Sequence, residues 1–293
     1  MRVAVVTDST ADLPPVFLDR YGVTMVPLTI EMEGASYRDR VDLDPEAFLE
    51  RLPSLCQFPH TAAPAPGAFY DVYRRILDSG ADAVISIHLA RGLSATVTAA
   101  ETAAAMVGDA VHVVDGESAS LGTGLLVWWA ARRARAGMPA TAIREELEWL
   151  KGRLFALTAP ITLEYLARGG RIGQAQRWVG TLLDMKPVLA LERGAFRPER
   201  RVRGERQLVP ALLAAVGDRV ERGTPVLAAL GHAGFPQRYG ALEEGMRTRY
   251  EVLGWLEGVI GPAISAHVGP GAFGVIVLPL TPEWAQLWKE TTE

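Results

Sequence analysis

At 293 residues, with apolar side chains at 49% and charged ones at 22%, the chain has room for one large or two ordinary globular domains and material for a sizeable core. Its formal net charge of −4 argues against a nucleic-acid binder, which would carry a basic excess. The single cysteine, Cys56, rules out an intrachain disulfide and fits a reducing compartment.

The chain opens with Val3 to Val6, a β-branched run followed by Thr7-Asp-Ser-Thr10, as in a buried strand that ends in a turn or cap. This start lacks the apolar core and cleavage site of a signal peptide, and no apolar run approaches the roughly 18 residues of a membrane span. A cytoplasmic protein with no stable membrane insertion is therefore expected. A helix begins near Leu13-Pro-Pro, and Val23 to Ile30 reads as one strand. Pro45 to Leu52 is a helix with Asp44 as its N-cap. Phe69, Val72, Tyr73, Ile76 and Leu77 mark one face of an amphipathic helix over Ala68 to Ser79. A strand at Ala83 to Leu89, an Ala/Thr-rich helix over Ser94 to Met106 and a strand at Val111 to Val114 follow. Leu121 to Arg135 is an apolar helix, expected to be well buried.

This alternation predicts an α/β fold with a mostly parallel N-terminal sheet flanked by helices. Loops at strand C-termini are then the default ligand crevice, and Asp8, the Ser94 loop and Asp115 fall there. Ile143 to Leu154 is an amphipathic helix, after which the pattern changes. Strands are expected at Leu154 to Ile161, Met185 to Leu191, Val226 to Leu230, Trp255 to Ile260 and Phe273 to Leu278, with a short helix at Thr162 to Ala167. A boundary near residue 155 gives two α/β domains, 1–155 and 156–293.

Several motifs have a structural reading beside a chemical one. Asp8-Ser-Thr-Ala-Asp12 could offer a phosphoryl acceptor or a Mg²⁺ ligand, but Thr10 breaks the Asp-x-Asp spacing and capping is the simpler role. Gly269-Pro-Gly-Ala-Phe-Gly274 matches a dinucleotide fingerprint in letters only. It precedes a strand instead of opening a helix, so a tight turn is expected. The five histidines, His60, His88, His112, His232 and His267, have no metal-ligand spacing. The arginines from Arg193 to Arg206 are interleaved with Glu199 and Glu205, which suits a solvated face or a docking surface better than a nucleic-acid site.

Three polar islands remain: Thr61 in Phe58-Pro-His-Thr-Ala-Ala-Pro64, Ser94 in Gly92-Leu-Ser-Ala-Thr96, and His267 in a glycine-rich loop, Ala266-His-Val-Gly-Pro-Gly271. Two hydroxyls and an imidazole suit one small oxyanion such as a carboxylate. Ser94 also suits a helix N-cap, whose free N–H groups attract anions. With no phosphate loop, metal cluster or complete G-x-S-x-G, a binding protein without a cofactor is expected in preference to an enzyme. The alternative is a serine hydrolase acting on a lipid or small ester through Ser94, with His267 or His232 as base.

In chain order the islands and their neighbours resemble the DegV family of bacterial fatty-acid-binding proteins. The matching stretches are Thr7-Asp-Ser-Thr-Ala-Asp-Leu-Pro14, Val26-Pro-Leu-Thr-Ile30 with Gly34 and Tyr37, Thr61 with Pro64, and Leu93-Ser94 with Thr96. They continue through Thr162-Leu-Glu-Tyr-Leu-Ala-Arg-Gly-Gly-Arg-Ile-Gly173, Lys186-Pro187 and His267-Val-Gly-Pro-Gly271. The resemblance implies two α/β domains holding one long-chain fatty acid such as palmitate between them. It implies that Thr61, Ser94 and His267 bind the carboxylate. It also implies an acyl carrier in phospholipid metabolism whose partner, a separate fatty acid kinase catalytic subunit, phosphorylates that carboxylate. Arg171 and Arg203 match positions linked to the head group or to kinase docking. Two stretches depart from the family pattern. Thr61-Ala-Ala-Pro-Ala65 stands for Thr-Ser-Gln-Pro-Ser, and Leu93-Ser-Ala-Thr96 for Leu-Ser-Gly-Thr. Ala62, Ala63 and Ala95 thus remove side-chain hydrogen bonds and restrict backbone freedom around the head group.

Overall fold

The computed structural model describes residues 1–180, 185–234 and 240–291. The first half runs β1 (Val3–Asp8), α1 (Pro15–Tyr21), β2 (Val23–Val26), β3 (Thr29–Met32), β4 (Ala35–Arg38), α2 (Pro45–Arg51), β5 (His60–Ala62), α3 (Pro66–Asp78), β6 (Ala83–His88), α4 (Thr96–Val107), β7 (Val111–Asp115), α5 (Leu121–Arg135) and α6 (Ala140–Lys151). The second runs β8 (Phe155–Ala159), α7 (Glu164–Arg168), β9 (Met185–Glu192), β10 (Ala195–Arg203), α8 (Leu208–Gly217), β11 (Pro225–His232), α9 (Gly240–Arg249), β12 (Glu251–Val259), α10 (Pro262–Val268), β13 (Phe273–Pro279) and α11 (Pro282–Glu290).

Strands β2, β1, β6 and β7 form a parallel sheet in that order, the α/β arrangement expected from the alternating pattern. Side chains alternate across it, as a strand's two-residue period requires. Val6 and Val84 face α3 and α4, packing with Phe69, Tyr73, Ala100 and Ala103. Val5, Ile85 and Ile87 face the other way, toward α5 and α6. The second sheet, β10-β9-β8-β13-β11-β12, is antiparallel except where β11 meets β12. One of its faces packs on α8 and α9 through Leu212, Val216, Leu242 and Met246.

Helix α5 explains its own composition. From Leu121 through Arg133 every residue is buried, and Leu125, Val127 and Trp129 belong to a core that also takes in Ile85 of the first sheet and Leu227 and Ile276 of the second. An element apolar all round is one that is covered all round. Gly124 lets it approach the loop after β1, since a Cβ there would sit 2.8 Å from the Ala11 carbonyl. The C-terminal helix α11 locks the packing from outside. Trp288 stacks on Trp129 at 5.5 Å and receives the Arg132 guanidinium 3.8 Å from its ring centre.

The structure corrects the sequence reading at several points. The run Val23 to Ile30 is two strands in different sheets. Pro27 has no N–H for a ladder, and the chain turns away as the Leu28 N–H donates to Ser9 Oγ at 3.0 Å. Strand β3 then pairs with β4 and β5 in a small antiparallel sheet that the parallel pattern did not foresee. Strand β10 and helices α8, α9, α10 and α11 were also not expected, and α4 starts at Thr96 rather than Ser94.

The halves are also joined by buried charge. Asp12 is fully buried and accepts from the Gly261 N–H at 2.8 Å, from Ser120 Oγ and from Arg40 at 3.2 Å. Arg40 donates in turn to the Val259 carbonyl at 3.1 Å. Asp39 accepts from Ser9 and from the Ala263 N–H at 3.3 Å. Burial pushes Asp12 up to about 7 against the opposing pull of Arg40, and pushes Asp39 to about 6. A carboxyl whose folded pKa is raised holds its proton longer folded than unfolded. Its contribution is therefore full at low pH and is lost as pH rises through the folded value. Between pH 6 and 8, Asp12 alone removes stability on the order of 1 kcal/mol. Asp12→Asn keeps the acceptor and tolerates the left-handed backbone at this position (φ 55°). Thermal unfolding of this variant at pH 6, 7 and 8 is expected to show a flatter decline than the native chain; parallel declines would remove Asp12 from the account.

Candidate functional site

The three sequence islands converge. Thr61 sits on β5, its backbone in register with Ile30 of β3, and its Oγ1 lies 2.9 Å from Nε2 of His267, 206 residues away in sequence. His267 does not lie in a glycine loop as expected. It occupies the last turn of α10, which Gly261 and Pro262 begin and Gly269 ends at φ 81°. Ser94 lies in the loop after β6, pinned where the Ala90 carbonyl accepts from the N–H groups of Leu93 (2.9 Å) and Ser94 (3.2 Å). Its hydroxyl is 2.9 Å from that of Thr96 and accepts from the Thr96 N–H at 3.3 Å, a local serine turn leading into α4. Arg171, just after α7, joins them: its Nε donates to the Leu93 carbonyl at 3.2 Å and a second nitrogen donates to the Gly169 carbonyl.

Thr61, Ser94, Arg171 and His267 all line one cavity of about 220 Å³. Thr10, unrecognised as a site residue from sequence, lines it too. Ala62 and Ala95 at its rim are exposed, and Thr61, Ser94, Arg171 and His267 are half-buried. Deeper in, Leu28, Leu89, Ala119 and Val268 are buried. A second chamber of about 50 Å³ shares Ala119, Phe196, Ile264 and Val268 with the first and reaches Leu191 and Ile276 on the six-stranded sheet. The space is polar at its rim and apolar in its depth. Burial, with the Arg171 charge second, pushes His267 down to about 4, so the ring is neutral near pH 7. Its Nδ1 is buried and has no hydrogen-bond partner among the described residues.

Arg203 is not part of this arrangement. It ends β10, opposite Met185, and lines a separate surface cavity with Arg206 and Arg249. In the basic stretch around it Arg200 pairs with Asp218, while the interleaved acids are engaged from outside it: Arg219 bridges Glu192 and Glu199, and Lys186 pairs with Glu205.

Asp8 is a cap. Oδ1 accepts from the Thr10 N–H at 2.9 Å, and Oδ2 from His88 Nδ1 at 2.9 Å and the Leu89 N–H at 3.2 Å. Tyr73, Ser86, His88 and Asp8 form a buried chain, with 2.8 Å from Tyr73 to Ser86 and 2.7 Å from Ser86 to His88. Ser86, His88 and Asp8 follow the order of a hydrolytic triad but are wholly buried, so no substrate reaches them. The glycine motif at Gly269 is the expected turn, leading into β13. Among the described residues no group of His, Cys, Asp and Glu could hold a metal, and no helix is long and apolar enough to cross a membrane.

The sequence model of the DegV family, described as uncharacterised proteins, matches residues 2–280. The chain belongs to the DegV family. A DegV domain-containing protein of Streptomyces coelicolor is 37% identical over 277 residues, covering 94% of this chain and 98% of that one. Protein DegV of Bacillus subtilis is 31% identical at 94% and 98% coverage. Among solved structures, a DegV family protein from Thermus thermophilus described as fatty acid binding superposes with TM-score 0.91 at 38% identity, covering 96% of this chain and all of that one. The Bacillus subtilis DegV structure, described as a fatty acid binding protein, gives 0.85 at 30% identity, with 96% of this chain and all of that one covered.

The pair needed for a serine nucleophile is not made here. The hydroxyl of Ser94 engages Thr96, His267 engages Thr61, and no carboxylate orients His267 Nδ1 among the described residues. His232, the other base considered, lines neither chamber. A fluorophosphonate probe is expected to leave Ser94 unlabelled at pH 7.5. Stoichiometric adduct on Ser94 by peptide mass spectrometry would reinstate the hydrolase.

Proposed function

We propose that this DegV protein binds one long-chain fatty acid such as palmitate, with its carboxylate at the Thr61–Ser94–His267 rim and its chain in the two apolar chambers. The observation that carries this reading is the convergence of Thr61, Ser94, Arg171 and His267 at the half-buried rim of an otherwise apolar cavity. The relatives described as fatty acid binding support it. We take residues 1–155 and 156–293 as the two domains, with the ligand between them.

A fatty acid makes two opposite demands. Burying about fourteen methylenes at roughly 0.8 kcal/mol each gives about 11 kcal/mol gross, reduced by the ligand's lost freedom. The carboxylate is costly to bury unless it is hydrogen-bonded. Thr61 and Ser94 serve it best if neither spends its own proton elsewhere. His267 then donates from Nε2 to Thr61, and Thr96 donates to Ser94, so both hydroxyl protons point to the ligand. His267 thus acts on the head group through Thr61, and the Arg171 charge lies behind it.

A head group held at the rim stays within reach of a second enzyme. We assign it to a separate fatty acid kinase that phosphorylates the carboxylate, with this chain as a carrier that has no chemistry or cofactor of its own, working in the cytoplasm. Arg203, outside the cavity, is assigned to docking of that partner.

Thr61→Ala and Ser94→Ala each delete one hydrogen bond to a charged group, worth about 1.5–3 kcal/mol, or roughly ten- to a hundred-fold in affinity. Calorimetry is expected to show that loss for palmitate and a much smaller one for hexadecanol. Equal losses for acid and alcohol would mean that these residues shape the cavity without reading a carboxylate.

A further inference from the structure

Gly169 follows α7 with φ −75° and ψ −7°, ordinary right-handed backbone that any L residue adopts. Its neighbour Gly170, at φ 69°, is a glycine for conformational reasons and has open space where a Cβ would stand. Gly169 has no such reason. A Cβ built on it would fall on Nδ1 of His267 and lie 2.9 Å from Cε1 of the same ring. The imidazole occupies the space that a side chain at 169 would fill.

That packing bears on where the ring's proton resides. A neutral imidazole carries one N–H, and the other nitrogen accepts. Nε2 has a partner in Thr61 at 2.9 Å, while Nδ1 faces Gly169, buried and without a partner among the described residues. A proton on Nδ1 would be a buried donor with no acceptor, and a proton on Nε2 is satisfied. Protonating both nitrogens is opposed by burial and by Arg171, which braces the same turn through the Gly169 carbonyl.

We propose that Gly169 is a positioning residue for the carboxylate site: by having no side chain it seats the His267 ring against the end of α7, keeps Nδ1 dry, and directs the single ring proton from Nε2 to Thr61. The consequence for binding rests on the carboxylate reading of the rim. The consequence for the ring itself does not.

Two measurements separate these. In protein labelled with ¹⁵N-histidine and assigned with His267→Ala, the His267 ring is expected to show a protonated Nε2 and a bare Nδ1 across pH 6 to 8, without ligand. Gly169→Ala is expected to abolish that signature and let the ring titrate nearer its ordinary range. A protonated Nδ1 in the native chain, or an unchanged spectrum in Gly169→Ala, overturns the proposal. In the binding arm, Gly169→Ala is expected to weaken palmitate tenfold or more and hexadecanol far less. Added to His267→Ala, which vacates the space, the same change is expected to cost nothing further. Equal losses in the two backgrounds would mark Gly169 as a general structural residue and overturn its positioning role. If the native chain binds no palmitate at all, the reading of the rim fails, and the ring signals still decide the role of Gly169.

Discussion

Two buried carboxylates from the first half of the chain hold the N-terminus of a seven-residue helix in the second: Asp12 accepts from the Gly261 N–H and Asp39 from that of Ala263. A helix so short has no stability of its own in water; carboxyl acceptors at its first turn satisfy its free N–H groups and, when ionised, complement its dipole. What this clamp fixes is α10, and α10 supplies both ends of the cavity. Ile264 and Val268 line the apolar depth, and His267, on its last turn, reaches the rim. The cost of burying the acids is accepted at a place where the two sheets are brought to one another.

The same logic separates the demands of head and tail. Apolar lining comes from elements whose positions are set by core packing: the strand end at Leu89, the second sheet at Leu191 and Ile276, and α10 between them. The polar groups come from short segments with their own local fixings. Thr61 is fixed by backbone pairing to β3, Ser94 by a serine turn, and Arg171 by carbonyls of the Ser94 loop and its own turn. Rim geometry therefore rests on short side chains and on one long one, Arg171, that is braced at both ends of its guanidinium. Arg171 spends part of its donor set on these braces, so its charge stays beside His267.

Much of this was legible in the residues, and the failures have physical causes. Buried parallel strands and the all-apolar α5 announce themselves by composition, and Asp44 caps α2 as its position suggests. Strand β10 did not, because within Ala195–Arg203 only Phe196 is buried and, apart from Ala195 and Val202, the rest is arginine, glutamate and proline. The short α10 hid beside glycines, although Gly261 and Pro262 before it and Gly269 after it are the signals of a helix start and stop. The islands were visible one by one. That Thr61 bonds His267 was not, since nothing local links positions 206 residues apart. Gly169 was hidden for the same reason: its meaning is the ring packed against it.

The most direct test is native mass spectrometry of the purified protein, followed by denaturing extraction and identification of what is released. The account predicts one fatty acid per chain, retained natively and released on unfolding. An empty protein that also takes up no palmitate when palmitate is supplied would contradict it.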